Sequence, residues 1–154
     1  SNNTLLFFPQ PLVSDDNYLF YSSNKEFRVF DKKIGSSLSK ISINIALKPI
    51  VSNETVFLIT NNNLVVCYNF LEKKIIWSEN PLKNLKDKYG KISNILLIKD
   101  ELNIFTSDGY LTKLSKKGEI ISIEKKSKSG FSSNPIVASG KMFFLDQRSK
   151  LIIY

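Results

Sequence analysis

Histidine is absent from the 154 residues, and cysteine, methionine and tryptophan occur once each. Without histidine the chain has no side chain that ordinarily titrates near neutrality. It also lacks the commonest zinc ligand and the base of Ser-His and Cys-His nucleophile pairs. A lone cysteine, Cys67, excludes an internal disulfide and a cysteine-based metal cluster. It lies in an apolar run and is expected to be a small buried hydrophobe. Glycine is scarce and scattered singly, so no Gly-rich phosphate loop is present. No apolar run approaches the ~18 residues of a membrane span. The opening SNNTLLFF has neither the basic n-region nor the cleavage site of a signal peptide.

Negative charge is in deficit, leaving a net +8, but arginine is nearly missing as well: only Arg28 and Arg148 occur. Arginine leads in base and phosphate recognition, so no nucleic-acid partner is expected. The lysine excess, together with abundant Asn, Ile, Phe and Tyr, reads as solvated surface charge in a composition of A+T-rich codons. The basic run EKKSKSG from Glu124 reads the same way, as a solvated turn. What is present is apolar content of 42% in one domain-sized chain, enough for a sizeable core.

That apolar content is periodic. PLVSDDNYLFYS from Pro11, PIVSNETVFLIT from Pro49 and PIVASGKMFFLD from Pro135 share one pattern. Each runs Pro-apolar-Val, a small residue, a polar turn, then a mostly apolar run. ILLIKDELNIFT from Ile95 is a degenerate copy without the proline. A second half-unit recurs as FRVFDKKIG from Phe27, LVVCYNFLEKKIIW from Leu64 and YLTKLSKKGEII from Tyr110. The repeats span 11–48, 49–94, 95–134 and 135–154, a period of roughly 40 residues that signals solenoids, propellers or arrays. The runs are short, rich in Val, Ile, Phe, Tyr and Leu, and bounded by polar turns, which predicts strands. Four short strands per unit predict an all-β protein with four propeller blades. Consecutive apolar residues, as in VFLI and MFFL, predict strands covered on both faces by neighbouring blades.

These units resemble the pyrroloquinoline-quinone (PQQ) type of propeller repeat, in which an Asp-Gly turn precedes a strand ending in Leu-Asp, then Thr-Gly and Trp. SDGYLTKLSKKGEII carries Asp108, Gly109 and Gly118; FRVFDKKIG carries Phe30-Asp31 and Gly35; LVVCYNFLEKKIIW carries Trp77. Asn63 stands at the turn glycine, a position asparagine tolerates. The resemblance implies structural roles for Trp77, Asp108, Gly109 and Gly118, with Trp77 packed between adjacent blades. In the quinoprotein dehydrogenases of this family the cofactor site uses acidic calcium ligands, a stacking Trp and a vicinal Cys pair. One Trp and one Cys do not supply that set, so the expectation is no enzyme, no PQQ and no metal. The branch without a cofactor, that of BamB, is a periplasmic scaffold of outer-membrane β-barrel assembly. It implies a protein partner, with the β-barrel assembly machinery as the candidate, and association with the membrane only through an anchor outside this chain. The alternatives are a fragment of a quinoprotein dehydrogenase and a PQQ-like propeller with a different partner.

Two further expectations concern surfaces. ENPLKNLKDKYGKISN exceeds the matching connections, and Leu82, Leu85 and Tyr89 are spaced as on one helix face, with Lys83 and Lys86 around them. It reads as a rim loop or as a partner-binding loop with an apolar anchor and a basic surround. The last unit stops at KLIIY, one strand short, while the apolar TLLFF, residues 4–8, precedes the first. That strand is expected to close the last blade, either within one chain or between two copies in an eight-bladed ring.

Overall fold

The computed structural model describes residues 12–23, 25–85 and 90–154. They are all-β, in four antiparallel sheets whose strands follow one another in chain order. Blade one comprises β1 (Leu12–Ser14), β2 (Tyr18–Ser22), β3 (Glu26–Asp31) and β4 (Ser37–Ser42). Blade two comprises β5 (Ile50–Ser52), β6 (Thr55–Ile59), β7 (Val65–Asn69) and β8 (Lys74–Glu79). Blade three comprises β9 (Ile92–Ile98), β10 (Glu101–Thr106), β11 (Tyr110–Ser115) and β12 (Ile120–Lys125). Blade four has three strands, β13 (Ile136–Ala138), β14 (Lys141–Leu145) and β15 (Leu151–Ile153). Blade three begins at Ile92, ahead of the repeat boundary at 95. The proposed closing strand, residues 4–8, lies outside the described residues.

The strand period of two explains how the blades stack. In β6 and β7, Val56, Leu58, Val66 and Tyr68 point one way, into a core shared with Phe20, Phe27 and Val29 of blade one. Their alternates Phe57, Ile59, Val65 and Cys67 point the other way, against Leu102, Ile104 and Leu114 of blade three. Both faces are covered, so VFLI has no polar alternate. In blade three, Phe105 and Leu111 meet Met142 and Phe144 of blade four. MFFL differs from VFLI. Met142 and Phe144 are buried, but Phe143 is half-buried and Leu145 exposed. Ile136, Leu151 and Ile153 are exposed on the same side as Phe143 and Leu145, in register with them. Among the described residues that face of blade four has no covering blade.

The turns carry the residues that permit their backbones. The turn between second and third strands is left-handed at Asn63 (φ 61°) in blade two and at Gly109 (φ 95°) in blade three. Asn63 also accepts a hydrogen bond from the Ile92 N–H at 3.0 Å, tying blade two to blade three. The first strands of blades two and three touch, and with Pro135 they border a depression of about 710 Å³.

Candidate functional site

Trp77 on β8 lies between blades two and three. Its indole Nε1 donates to the Lys116 carbonyl at 2.8 Å, and its ring centroid is 6.0 Å from that of Phe57. Gly118, in the β11–β12 turn, sits under the ring; a Cβ there would be 2.8 Å from Trp77 Cδ2. Gly118 has φ 87°, so the missing side chain serves both the turn and the indole. Asp108 accepts a 2.5 Å hydrogen bond from Thr106 Oγ1, which itself accepts from the Tyr110 N–H at 3.0 Å. Gly109 packs against the Ser127 carbonyl, where a Cβ would collide. All four side chains or positions hold turns and blades together.

The segment after β8 departs from the partner-loop expectation. Leu82 has no exposed surface and belongs to the core between blades two and three. Leu85 packs against the same core. Asn80 turns the chain inward: its side chain accepts from the Leu82 N–H at 3.0 Å, and its carbonyl accepts from the Lys83 N–H at 3.2 Å. Leu82 is therefore a core residue and not a surface anchor, because burying it here removes a large apolar side chain from water. Lys83 is half-exposed and pairs with Glu79 at 2.8 Å. Lys86 and Tyr89 lie outside the described residues.

Cys67 is 3% exposed, and burial pushes its thiol up to about 11. Such a group is a poor nucleophile at neutral pH. Among the described residues no group of three or more His, Cys, Asp or Glu side chains is placed to hold a metal ion.

Charge gathers elsewhere, at a cleft of about 530 Å³ running along β15. One wall is Leu151–Ile153; the other is the loop Lys126–Ser129; Asp146, Arg148 and Lys150 of the β14–β15 turn form the end. Lys126 is paired with Glu124 at 2.5 Å and lies 3.9 Å from the Tyr154 ring centroid. Lys128, Arg148 and Lys150 are exposed and make no ion pair among the described residues. Asp146 places one negative charge among them. Its Oδ1 accepts the Arg148 and Lys150 N–H groups, each at 2.9 Å, and the Lys150 N–H above all holds its carboxyl below the usual range. The loop half of this cluster is the run EKKSKSG, whose composition predicts a solvated turn. EKKSKSG and DQRSK stand far apart in the chain, and only the fold sets them across one cleft.

No family model and no curated protein matches the sequence. In structure, 524 solved chains match, so the architecture is widespread. One is BamB from Moraxella catarrhalis, with a TM-score of 0.75 and 20% identity, over 92% of this chain and 41% of that chain. Another is the computationally designed Ika4 protein, with a TM-score of 0.75 and 10% identity, over 100% of this chain and 94% of that chain. This chain spans less than half the length of the BamB chain it matches. The likeness establishes the fold: four successive blades of the BamB propeller type.

Proposed function

We propose that the chain is a non-catalytic propeller scaffold for protein-protein interaction, acting in the periplasm in outer-membrane protein assembly as BamB does. The observation that carries the reading is the blade array itself, superimposable on BamB over nearly the whole chain. Its residues support the non-catalytic part. The chain has no histidine, its one thiol is buried and raised, and Trp77 is spent on blade packing. The test is to express the tagged chain in a bacterium with an outer membrane, behind an export signal, and purify it with the β-barrel assembly machinery after crosslinking. Recovery of the machinery's barrel subunit, lost when the tag is carried by an unrelated periplasmic protein, supports the proposal. Failure to recover it from a correctly exported chain would sink the assembly role. Titrating PQQ with calcium is the complementary check. A ligand that binds the native state must stabilise it, so a saturable rise in Tm would replace the scaffold by a quinoprotein.

A further inference from the structure

Blades one, two and three carry a β-bulge at the same place, where the third strand meets the fourth. It lies opposite Val29 and Phe30, Cys67 and Tyr68, and Lys113 and Leu114. The extra residue is Leu38, Ile76 or Ile121, and the next residue is Ser39, Trp77 or Ser122. A bulge re-aims the side chains around it. Between blades one and two the place is closed. Leu38 packs on the shared core, and the Ser39 and Tyr68 hydroxyls are hydrogen-bonded at 2.6 Å. Between blades two and three it is open. Ile76 is 49% exposed, and a pocket of about 400 Å³ lies between it, Trp77, Thr55 and the Lys116–Lys117 turn. Phe57 and Cys67, 2% and 3% exposed, form its floor. Both walls belong to complete, consecutive four-stranded blades, on the side away from the contact of β5 with β9. Two charged side chains line the pocket, and both are cations. Lys116 is paired with Asp100 at 2.8 Å. Lys117 is exposed and makes no ion pair among the described residues.

We propose that this pocket docks an acidic segment of a partner protein through one aromatic side chain. The ring enters between Trp77, Phe57 and Ile76, where aromatic neighbours favour edge or offset contact and burial removes apolar surface from water. Acidic residues flanking the ring meet Lys117, so the charge at the lip selects the sign of the segment. Ile76 stands out at the lip and is covered by the flanking chain, a contact beyond the reach of a ligand the size of one ring. The proposal rests on the scaffold reading only in taking the occupant to be a protein.

Trp77 is the only tryptophan, so its emission reports on the pocket itself. The test titrates the purified full chain with an end-blocked peptide in which one Phe is flanked by Asp pairs. The controls replace Phe by Ala, or Asp by Lys. Expected is a saturable change in Trp77 emission with the Asp-Phe peptide alone, weakened about threefold by raising salt from about 0.05 to 0.5 M, since exposed charges are screened over that range. Lys117→Glu should weaken binding about fivefold, as reversal of one exposed charge does. Ile76→Asp should weaken it as well, by placing a negative charge at the lip. Both side chains stand in solvent, so folding is kept. Lys128→Glu, at a different cleft, should leave binding unchanged. Absence of Asp-Phe binding, equal binding of either control peptide, or binding unmoved by both pocket variants would overturn the proposal. So would equal weakening by Lys128→Glu, which would make the attraction one of net charge. Phenylacetate saturating the same signal at the same concentration would assign the pocket to a small aromatic acid instead. A doubled mass that Lys117→Glu removes would assign it to a second copy. The assay contains no assembly component, so its failure leaves the co-purification result standing, and the reverse.

Discussion

Single side chains here are read through what surrounds them. Cys67 is apolar in use: it faces blade three beside Phe57 and Val65, and burial raises its thiol to about 11. A thiol reagent at pH 8 should leave the native protein unlabelled and modify one thiol per chain in denaturant. Rapid native labelling would place Cys67 outside the core. Glu26 shows the opposite case. Arg28 at 2.5 Å and Lys40 at 2.9 Å hold its carboxyl below the ordinary 4.5. A depressed carboxylate contributes stability that is present above its unfolded pKa and lost as pH falls through the folded one. The urea midpoints of wild type and Glu26→Gln should therefore differ at pH 6 and draw together progressively as pH falls below 4.5 through the lowered folded value. A gap that stays constant down to pH 3 would refute the linkage.

At the level of turns and strands, conformation and inter-blade contact are combined in the same few residues. Asn63 supplies a left-handed backbone and an acceptor for the Ile92 N–H. Asn63→Ala loses both and should cost about 2 kcal/mol. Asn63→Gly loses only the acceptor and should cost about 1 kcal/mol. Equal losses in the two variants would show that the conformation contributes nothing. Trp77 and Gly118 form a matched pair across blades two and three. Trp77→Ala should cost about 3 kcal/mol, the low end for a large aromatic because the ring is only partly buried. Gly118→Ala should also destabilise, through its positive φ and the Cβ pressed on the indole. In the double variant the indole clash is gone, so the two costs should fall short of their sum, as coupled neighbours do. Strict additivity in thermal denaturation would separate the two sites.

Across the whole molecule, stability should follow how many faces of each blade are covered. Blades two and three are packed on both sides by described neighbours, and β6 and β7 are buried along almost their whole length. Among the described residues blade four is covered on one face, has three strands and exposes Ile136 at 65% and Ile153 at 55%. Native-state hydrogen exchange should show β6, β7 and β10 protected up to the global unfolding free energy. The amides of β13 to β15 should exchange through a smaller, local opening. Uniform protection across the blades would mean that the open face of blade four is covered in solution.

The repeat, the strand class and the blade order were legible in the sequence, because a two-residue side-chain period and recurring turn residues are local properties of a chain. VFLI announced a doubly covered strand by having no polar alternate. MFFL looked the same in sequence, yet only half of it is buried, since coverage depends on a neighbour that composition does not record. Leu82 is the clearest divergence: its spacing with Leu85 reads as a helix face, but Asn80 turns the chain so that Leu82 enters the core. The basic cleft was beyond sequence reading altogether. Lys126–Ser129 and Asp146–Lys150 are separated by two strands of blade four, and charge adds up across a cleft only where the fold brings distant turns together. Local pattern determined the blades; the order and gaps of their packing, a matter of long-range contact, decided which surfaces are left to bind.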